Sequence, residues 1–421
     1  MANGPPKTDF FSHLKYQKTS HVVLTGETDD FDEVTISEWR NEGFSVKYIG
    51  FGDGGAEFVK RVQKLADGIS VGEQYAIVAF GAPASPLLSS LRHLPRLLAF
   101  VAYYPPQIPS QQHITYPASV SIIMHLCANS TISVSKRPEV LGLQGSKTRN
   151  IQRRVESGAG LGGEIELGKK GVDGEKVRTY VYEGVKPGFA EGDVDEYDSV
   201  GKEMAFSRSL DLVRKAFGTP PIDLEGIKDE FIDEVARNPV RACQDLPTDA
   251  SRINLPTLTG GFDAEGLTQF YRDLFGPSAP YVRARLMSRT TGTSQVVDEM
   301  LISFRHDREV QWILPGVPPT GKDVRIVMVS IVGIKGGKCV AERVYWDQAS
   351  VLVQIGMLSP SLVPEGFGQR QVNGGDKGSK GKRKMRMPVV GAEQADAVAQ
   401  GEDWDGNVNA LCDGVAGTNI S

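Results

Sequence analysis

The chain has 421 residues, 40% of them hydrophobic and 24% charged, with a formal net charge of -5. That is enough chain for two hydrophobic cores, it is too polar for a membrane protein, and no apolar run reaches the roughly 20 residues needed to cross a bilayer. A slightly acidic chain without a Gly-rich loop ending in Lys-Ser or Lys-Thr offers nothing for nucleic acid or nucleotide phosphates, so no nucleic-acid and no membrane partner is expected.

Cys127, Cys243, Cys339 and Cys412 lie far apart with no C-x-x-C pair. This spacing argues against a zinc site and against a disulfide framework, and no metal or cofactor is expected. The polar first residues lack the pattern of a secretory signal, so a cytoplasmic location is expected.

In chain order, the short apolar runs at 21–26, 44–51 and 75–80 alternate with helical patterns such as Val59, Val62, Leu65 and Ile69. This order predicts a parallel sheet covered on both faces. Further strands are expected at 97–104, 119–126 and near 178–182. A closing helix aligns Phe206, Leu210, Val213 and Phe217 before Gly218 and Pro220 stop it, so the first domain is set at 1–218. The glycine-rich run 158–163 follows no strand and reads as a loop, not a dinucleotide fingerprint.

The strand at 75–80 leads into Gly81-Ala82-Pro83-Ala84-Ser85-Pro86-Leu87, which has the spacing of a nucleophile elbow without a nucleophile. The whole domain resembles the dienelactone hydrolase (carboxymethylenebutenolidase) family of α/β-hydrolases. Tyr182-Glu183-Gly184-Val185-Lys186-Pro187-Gly188-Phe189-Ala190 resembles the segment that carries that family's catalytic histidine. The resemblance places Pro83 at the family's cysteine or serine and Pro187 at its histidine, while Cys127-Ala128-Asn129-Ser130 offers no carboxylate at the third position. Nucleophilic catalysis needs a hydroxyl or thiol, a base and a group that orients the base, so a hydrolase fold without the activity is expected. Ser85 reads as a helix N-cap ahead of Pro86, His125 as a packed core histidine and Cys127 as a small apolar residue. Hydrolysis of lactones or esters through Cys127 is the alternative.

Residues 219–224 form the linker, opened by Thr219-Pro220-Pro221, and the second domain is set at 225–400. A helix at 224–236 carries Ile227, Phe231 and Val235. Another begins at Asp263, read as its N-cap, and aligns Leu267, Phe270, Tyr271, Leu274 and Phe275. The strand at 297–306 puts Met300, Ile302, Phe304 and His306 on one face and Glu299, Ser303 and Arg305 on the other. Strands are expected at 312–314 and 324–333. In the last strand Arg343, Tyr345 and Asp347 share one face and Val344, Trp346 and Gln348 the other, before a helix bearing Val351, Leu352 and Ile355.

Leu258-Thr259-Gly260-Gly261, Phe270-Tyr271, Ser288-Arg289-Thr290-Thr291-Gly292, Val297-Asp298-Glu299-Met300, Phe304-Arg305-His306-Asp307, the run 312–321 and Tyr345-Trp346-Asp347-Gln348 occur in that order. Together they resemble the SnoaL-like branch of the NTF2-like superfamily. The resemblance implies a curved sheet wrapped by helices into a cone with an apolar pocket, used for ring closure, isomerisation, hydration or plain ligand binding. It also implies a homodimer across the open sheet. The branch commonly has histidines flanking a glutamate before the closing motif and another on its first helix. Here the triplet is Ala341-Glu342-Arg343 and the helix position falls near Phe231, so no histidine cluster is expected.

The expected architecture is therefore an α/β-hydrolase-like parallel-sheet domain followed by an NTF2-like α+β cone. The expected function is binding of a small apolar molecule, with cyclase- or isomerase-type chemistry on a carbonyl compound as its enzymatic form and a non-catalytic scaffold as the rival. Asp347 and His306 are the candidate catalytic pair. Tyr345, Arg343, Trp312, Phe304 and Tyr271 are the candidate pocket. Asp347 has a second reading as a helix cap and His306 as a core residue. The segment at about 365–387, with seven basic residues and one acid between 370 and 386, reads as a solvated insert or a nuclear-targeting signal, and 401–421 reads as a tail.

Overall fold

The computed structural model describes residues 19–70, 72–109, 116–127, 135–136, 151–152, 177–182, 184–276, 281–362, 387–406, 408 and 411. The glycine run 158–163 and nearly all of the basic insert lie outside them. The chain divides into two compact units, Met1–Ile222 and Asp223–Ser421, at a point within 219–224.

The first unit runs β1 (His21–Gly26), α1 (Glu33–Asn41), β2 (Ser45–Gly50), α2 (Gly55–Asp67), β3 (Tyr75–Phe80), α3 (Ala84–Ser90), β4 (Leu97–Tyr103), β5 (Ser121–Cys127), β6 (Ser135–Lys136), β7 (Ile151–Gln152), β8 (Val177–Tyr182) and α4 (Ser199–Phe217). β6 and β7 form a separate antiparallel pair. The main sheet is ordered β2-β1-β3-β4-β5-β8 and every pairing in it is parallel. Parallel strands need crossovers, and the helices in those crossovers cover both faces, which is why the strands read as apolar runs without alternation. Val22 and Leu24 pack with Trp39 and Phe206 on one side, while Val23 packs with Phe58, Val62 and Leu87 on the other. The order reverses between β1 and β3, and in open sheets of this kind the crevice at such a reversal, beyond the strands' carboxyl ends, is where ligands bind.

The second unit runs α5 (Leu224–Arg237), α6 (Pro239–Cys243), β9 (Ser251–Asn254), β10 (Thr259–Phe262), α7 (Asp263–Phe275), β11 (Val282–Thr291), β12 (Gln295–Arg305), β13 (Asp323–Lys335), β14 (Lys338–Trp346), α8 (Gln348–Gln354) and α9 (Glu393–Gln400). Its sheet is ordered β10-β9-β14-β13-β12-β11, with β9 parallel to β14 and all other pairs antiparallel. α5 packs on β12 and β14 and α7 on β9. One sheet face is therefore the inner one, and along β12 to β14 it carries Val296, Ile302, Phe304, Ile326, Met328, Val344 and Trp346, all buried.

Three local expectations are corrected. Residues 312–314 form a turn, not a strand, although Ile313 and Leu314 are fully packed into the core. Ser85 lies inside α3, whose N-cap is Pro83, and its hydroxyl is held by the Gln107 backbone. The N-cap of α7 is Phe262; Asp263 is the first helical residue, at φ 57, yet its carboxylate accepts from the Glu265 and Gly266 N–H groups as a cap would. α6, β9 and β10 were not expected as elements, because each is only four or five residues long, and neither was β11, an edge strand that is mostly exposed.

Candidate functional site

At the reversal in the first sheet, the loop after β3 is closed by a side chain from the end of β1. Ala82 N–H donates to Glu27 Oε1 at 2.9 Å, and a Cβ on Gly81, whose φ is 71, would stand 2.1 Å from that oxygen. Only glycine fits there. Pro83 is buried and has no donor. Pro187 is half-buried in the loop before Phe189. Neither proline carries a hydroxyl, a thiol or a base, so nucleophilic catalysis cannot run through these two side chains.

His125 is fully buried in a network that can be mistaken for a dyad. Its Nε2 lies 2.8 Å from Ser209 Oγ and its Nδ1 2.9 Å from the Tyr182 hydroxyl. Proton counting decides the direction. Ser209 donates its own proton to the Ala205 carbonyl at 2.8 Å, so His125 Nε2–H and the Tyr103 hydroxyl must donate to Ser209. Nδ1 then accepts from Tyr182, which in turn accepts from Arg208. A histidine that donates to serine cannot deprotonate it. Burial pushes its pKa down to about 3, with the Arg208 charge adding to the effect, so the ring stays neutral at ordinary pH and serves packing.

In the second unit the residues expected to share a pocket are dispersed. Arg343 and Tyr345 point away from the inner face, and Tyr345 is 41% exposed. Strand alternation put them together with Asp347 correctly, but the face is the outer one. Asp347 is exposed; its carboxylate accepts from Ala349 N–H at 3.0 Å and caps α8. His306 is fully buried at the end of β12, with Nδ1 held by the Thr320 hydroxyl at 3.0 Å and Thr320 N–H at 3.3 Å. Burial lowers its pKa, against the pull of Asp307. Trp346 pairs across Met328 with Met300, so Asp347, one residue on, lies level with Leu301, and it is separated from His306 by about 10 Å across the sheet and about 17 Å along it. They cannot act on one atom.

The Tyr-Trp-Asp-Gln stretch instead makes a clasp. Trp346 Nε1–H donates to Gln348 Oε1 at 2.7 Å, and Gln348 Nε2 donates to the Ile313 carbonyl at 2.8 Å, pinning the 310–314 turn under the indole. Trp312 stacks edge-on with Trp346 at 5.8 Å, and Phe304 is a core residue of the same cluster.

Of the expected pocket residues, Tyr271 borders a small recess. A cavity of about 10 Å³ lies between α5, α7, β13 and β14, lined by apolar Phe231, Ile232, Leu246, Leu267 and Val332 and by Lys228, Tyr271, Cys339 and Glu342. That is room for about one water. Glu342 Oε2 takes an ion-paired hydrogen bond from Arg252 Nη1 at 2.6 Å, and Oε1 takes one from the Ser330 hydroxyl at 2.7 Å. The Arg252 guanidinium lies over the Phe270 ring at 4.9 Å and is hydrogen-bonded to Tyr271. Burial opposes its charge, but Glu342 and Tyr271 hold the proton on. Lys228 donates to Asp298 at 2.5 Å, and Arg289 forks onto the same carboxylate at 2.7 and 2.8 Å. Burial works against that carboxylate's charge, yet the two cations hold its pKa below the usual range. Burial raises the Tyr271 phenol, and burial with Glu342 pushes the Cys339 thiol up to about 12, so both are neutral hydrogen-bond donors and not nucleophiles. Among the described residues no group of three or more His, Cys, Asp or Glu side chains is placed to hold a metal ion.

The signal for this cluster was present in the alternation. Asp298, Ser330 and Glu342 are polar residues at inner-face positions of otherwise apolar strands, and polar groups there are either paired or at work.

No family model matches the chain, and no curated protein matches it. Solved structures that match include a protein with a ketosteroid isomerase-like fold from Catenulispora acidiphila, at 14% identity over 33% of this chain and 97% of its own, with a TM-score of 0.25. A protein named as a SnoaL-like polyketide cyclase from Jannaschia matches at 16% identity over 34% of this chain and 99% of its own, with a TM-score of 0.27. IdmH, named as a polyketide cyclase from Streptomyces antibioticus, matches at 18% identity over 32% of this chain and 99% of its own, with a TM-score of 0.25. Likeness at this level says nothing about activity or ligand.

Proposed function

We propose that the chain binds a small, largely apolar molecule in the interior of the second unit, and that its first unit is a hydrolase-like domain without hydrolase chemistry. The observation that carries this reading is the meeting of Lys228, Tyr271, Cys339 and Glu342 around a space whose lining also includes apolar Phe231, Ile232, Leu246, Leu267 and Val332. A mostly apolar lining with a few polar groups is what a small-molecule site is made of. At about 10 Å³ the space has room for about one water as it stands, so a ligand enters by displacing lining side chains such as Phe231 and Leu246. Native mass spectrometry of the purified chain tests the reading: a retained small molecule supports it, and its absence across expression hosts, together with no binding of added apolar probes, rejects it.

A second reading, proton transfer beside a carbonyl, is favoured by Glu342 and Tyr271 lining the same space. Glu342 would take the proton on carbon, the C–H electron pair would move into the new C=C bond, and the phenol would donate to the developing enolate oxygen. Both Glu342 oxygens are already engaged, so this needs Arg252 or Ser330 to yield. Deuterium incorporation from D2O into the α-position of cyclohexanone, lost in Glu342→Gln, would support it. No incorporation above buffer leaves binding as the function.

A further inference from the structure

β11 is the outermost strand of the second sheet. It pairs with β12, and among the described residues no strand pairs with its other edge. Such an edge presents a row of backbone N–H and C=O groups without ladder partners. From Val282, opposite Phe304, to Leu286, opposite Met300, the register with β12 is unbroken, and a bulge follows between Leu286 and Ser288. Alternation puts Arg283 and Arg285 on the outer face, beside Ser303 and Leu301, and Val282, Ala284 and Leu286 on the inner one. Both arginines are exposed, and among the described residues no carboxylate pairs with either, whereas Arg289, Arg305 and Arg325 of the same sheet each meet one. On the inner face Val282 packs against the core cluster of the sheet, while Leu286 is 47% exposed.

Basic side chains on an edge repel other basic strands. Here the charge lies on one face and apolar side chains on the other, so an acidic strand finds a partner on both. In any strand added to this edge, alternate side chains stand about 7 Å apart, the spacing of Arg283 and Arg285. We infer that the edge of β11 over residues 282–286 is a docking surface for an extended segment of another protein in which acidic and apolar residues alternate. The segment's backbone extends the ladder by one strand, its carboxylates meet Arg283 and Arg285, and its apolar side chains lie against Val282 and Leu286. The inference stands apart from the proposed ligand site in the interior.

Amide NMR titration of the full chain with two capped octapeptides of one composition tests it, the first alternating Asp and Val and the second carrying them in separate blocks. The alternating peptide is expected to bind about fivefold or more tightly, the sum of a few cross-strand pairs that the block peptide cannot make. Its shifts should centre on residues 282–286. Arg283→Glu combined with Arg285→Glu should abolish its binding and create binding of an alternating Lys-Val peptide. Arg283→Lys with Arg285→Lys, which keeps the charge, should retain the wild-type preference and guards against a reversal variant that merely fails to fold. Equal binding of the two Asp-Val peptides would mean attraction by charge alone and overturns the inference. So do shifts that leave 282–286 unmoved, and so does binding of neither peptide.

Discussion

Arg252 and Glu342 are register partners on the parallel strands β9 and β14, and their side chains meet at 2.6 Å with exposures of only 9% and 11%. A buried pair is poorly compensated when one partner is lost. Glu342→Ala should therefore cost about 3–5 kcal/mol, while the double change Arg252→Met with Glu342→Leu should be neutral or stabilising. Urea unfolding of the three proteins measures both, and a double variant weaker than the single one would show that the pair does more than neutralise itself.

His125 gives the first unit a pH dependence with a definite sign. Its folded pKa of about 3 lies below the ordinary 6.5, so the unfolded chain takes the proton first. This contribution to stability is complete above pH 6.5 and is lost as the pH falls through the window toward 3. Thermal unfolding between pH 7 and 4 should fall more steeply for the wild type than for His125→Gln. Parallel curves would mean that His125 is protonated in the fold.

Asp347 is expected to behave as a cap. Asp347→Ala should cost about 0.5–2 kcal/mol and Asp347→Asn much less. Neither should change probe binding, because the residue is exposed on the outer side of the sheet. A loss of binding in a well-folded Asp347→Asn would return this residue to the site.

Much of this was legible in the sequence, and the parts that were not share a cause. The strands of the first sheet and β12, β13 and β14 of the second followed from their apolar runs and alternation, and α4 and α5 from their stripes, because long periodic segments are over-determined. Alternation grouped Arg343, Tyr345 and Asp347 correctly, but it cannot say which face turns inward. Here that was decided by α5 and α7, packing beside Glu342 and Val344. Arg252 was missed because β9 has four residues, too few for any period, and its place in the sheet comes from a non-local parallel pairing with β14.

Gln348 should matter more than its polar character suggests. It links the Trp346 indole to the Ile313 carbonyl, and Gln348→Leu would leave both groups without a partner at about 1–3 kcal/mol each at most. Differential scanning calorimetry should show the loss in the second unit's transition, while Gln348→Glu, which still accepts from the indole, should lose less.

Supplying a nucleophile at position 83 should not confer hydrolysis. Pro83→Ser supplies a hydroxyl at the elbow, but Pro187 offers no base and Glu27 already occupies the Ala82 N–H. Aryl-ester cleavage by this variant is expected to match a heat-denatured control.

The central claim, that the interior beside Glu342 is the ligand site, is tested most directly by methyl NMR. The chain, labelled at Leu and Val methyls, would be titrated with cyclohexanol. The account predicts shifts at Leu246, Leu267 and Val332, with Val327 and Val329 on the outer face unmoved. Shifts confined to the outer face, or none at saturating alcohol, would contradict it.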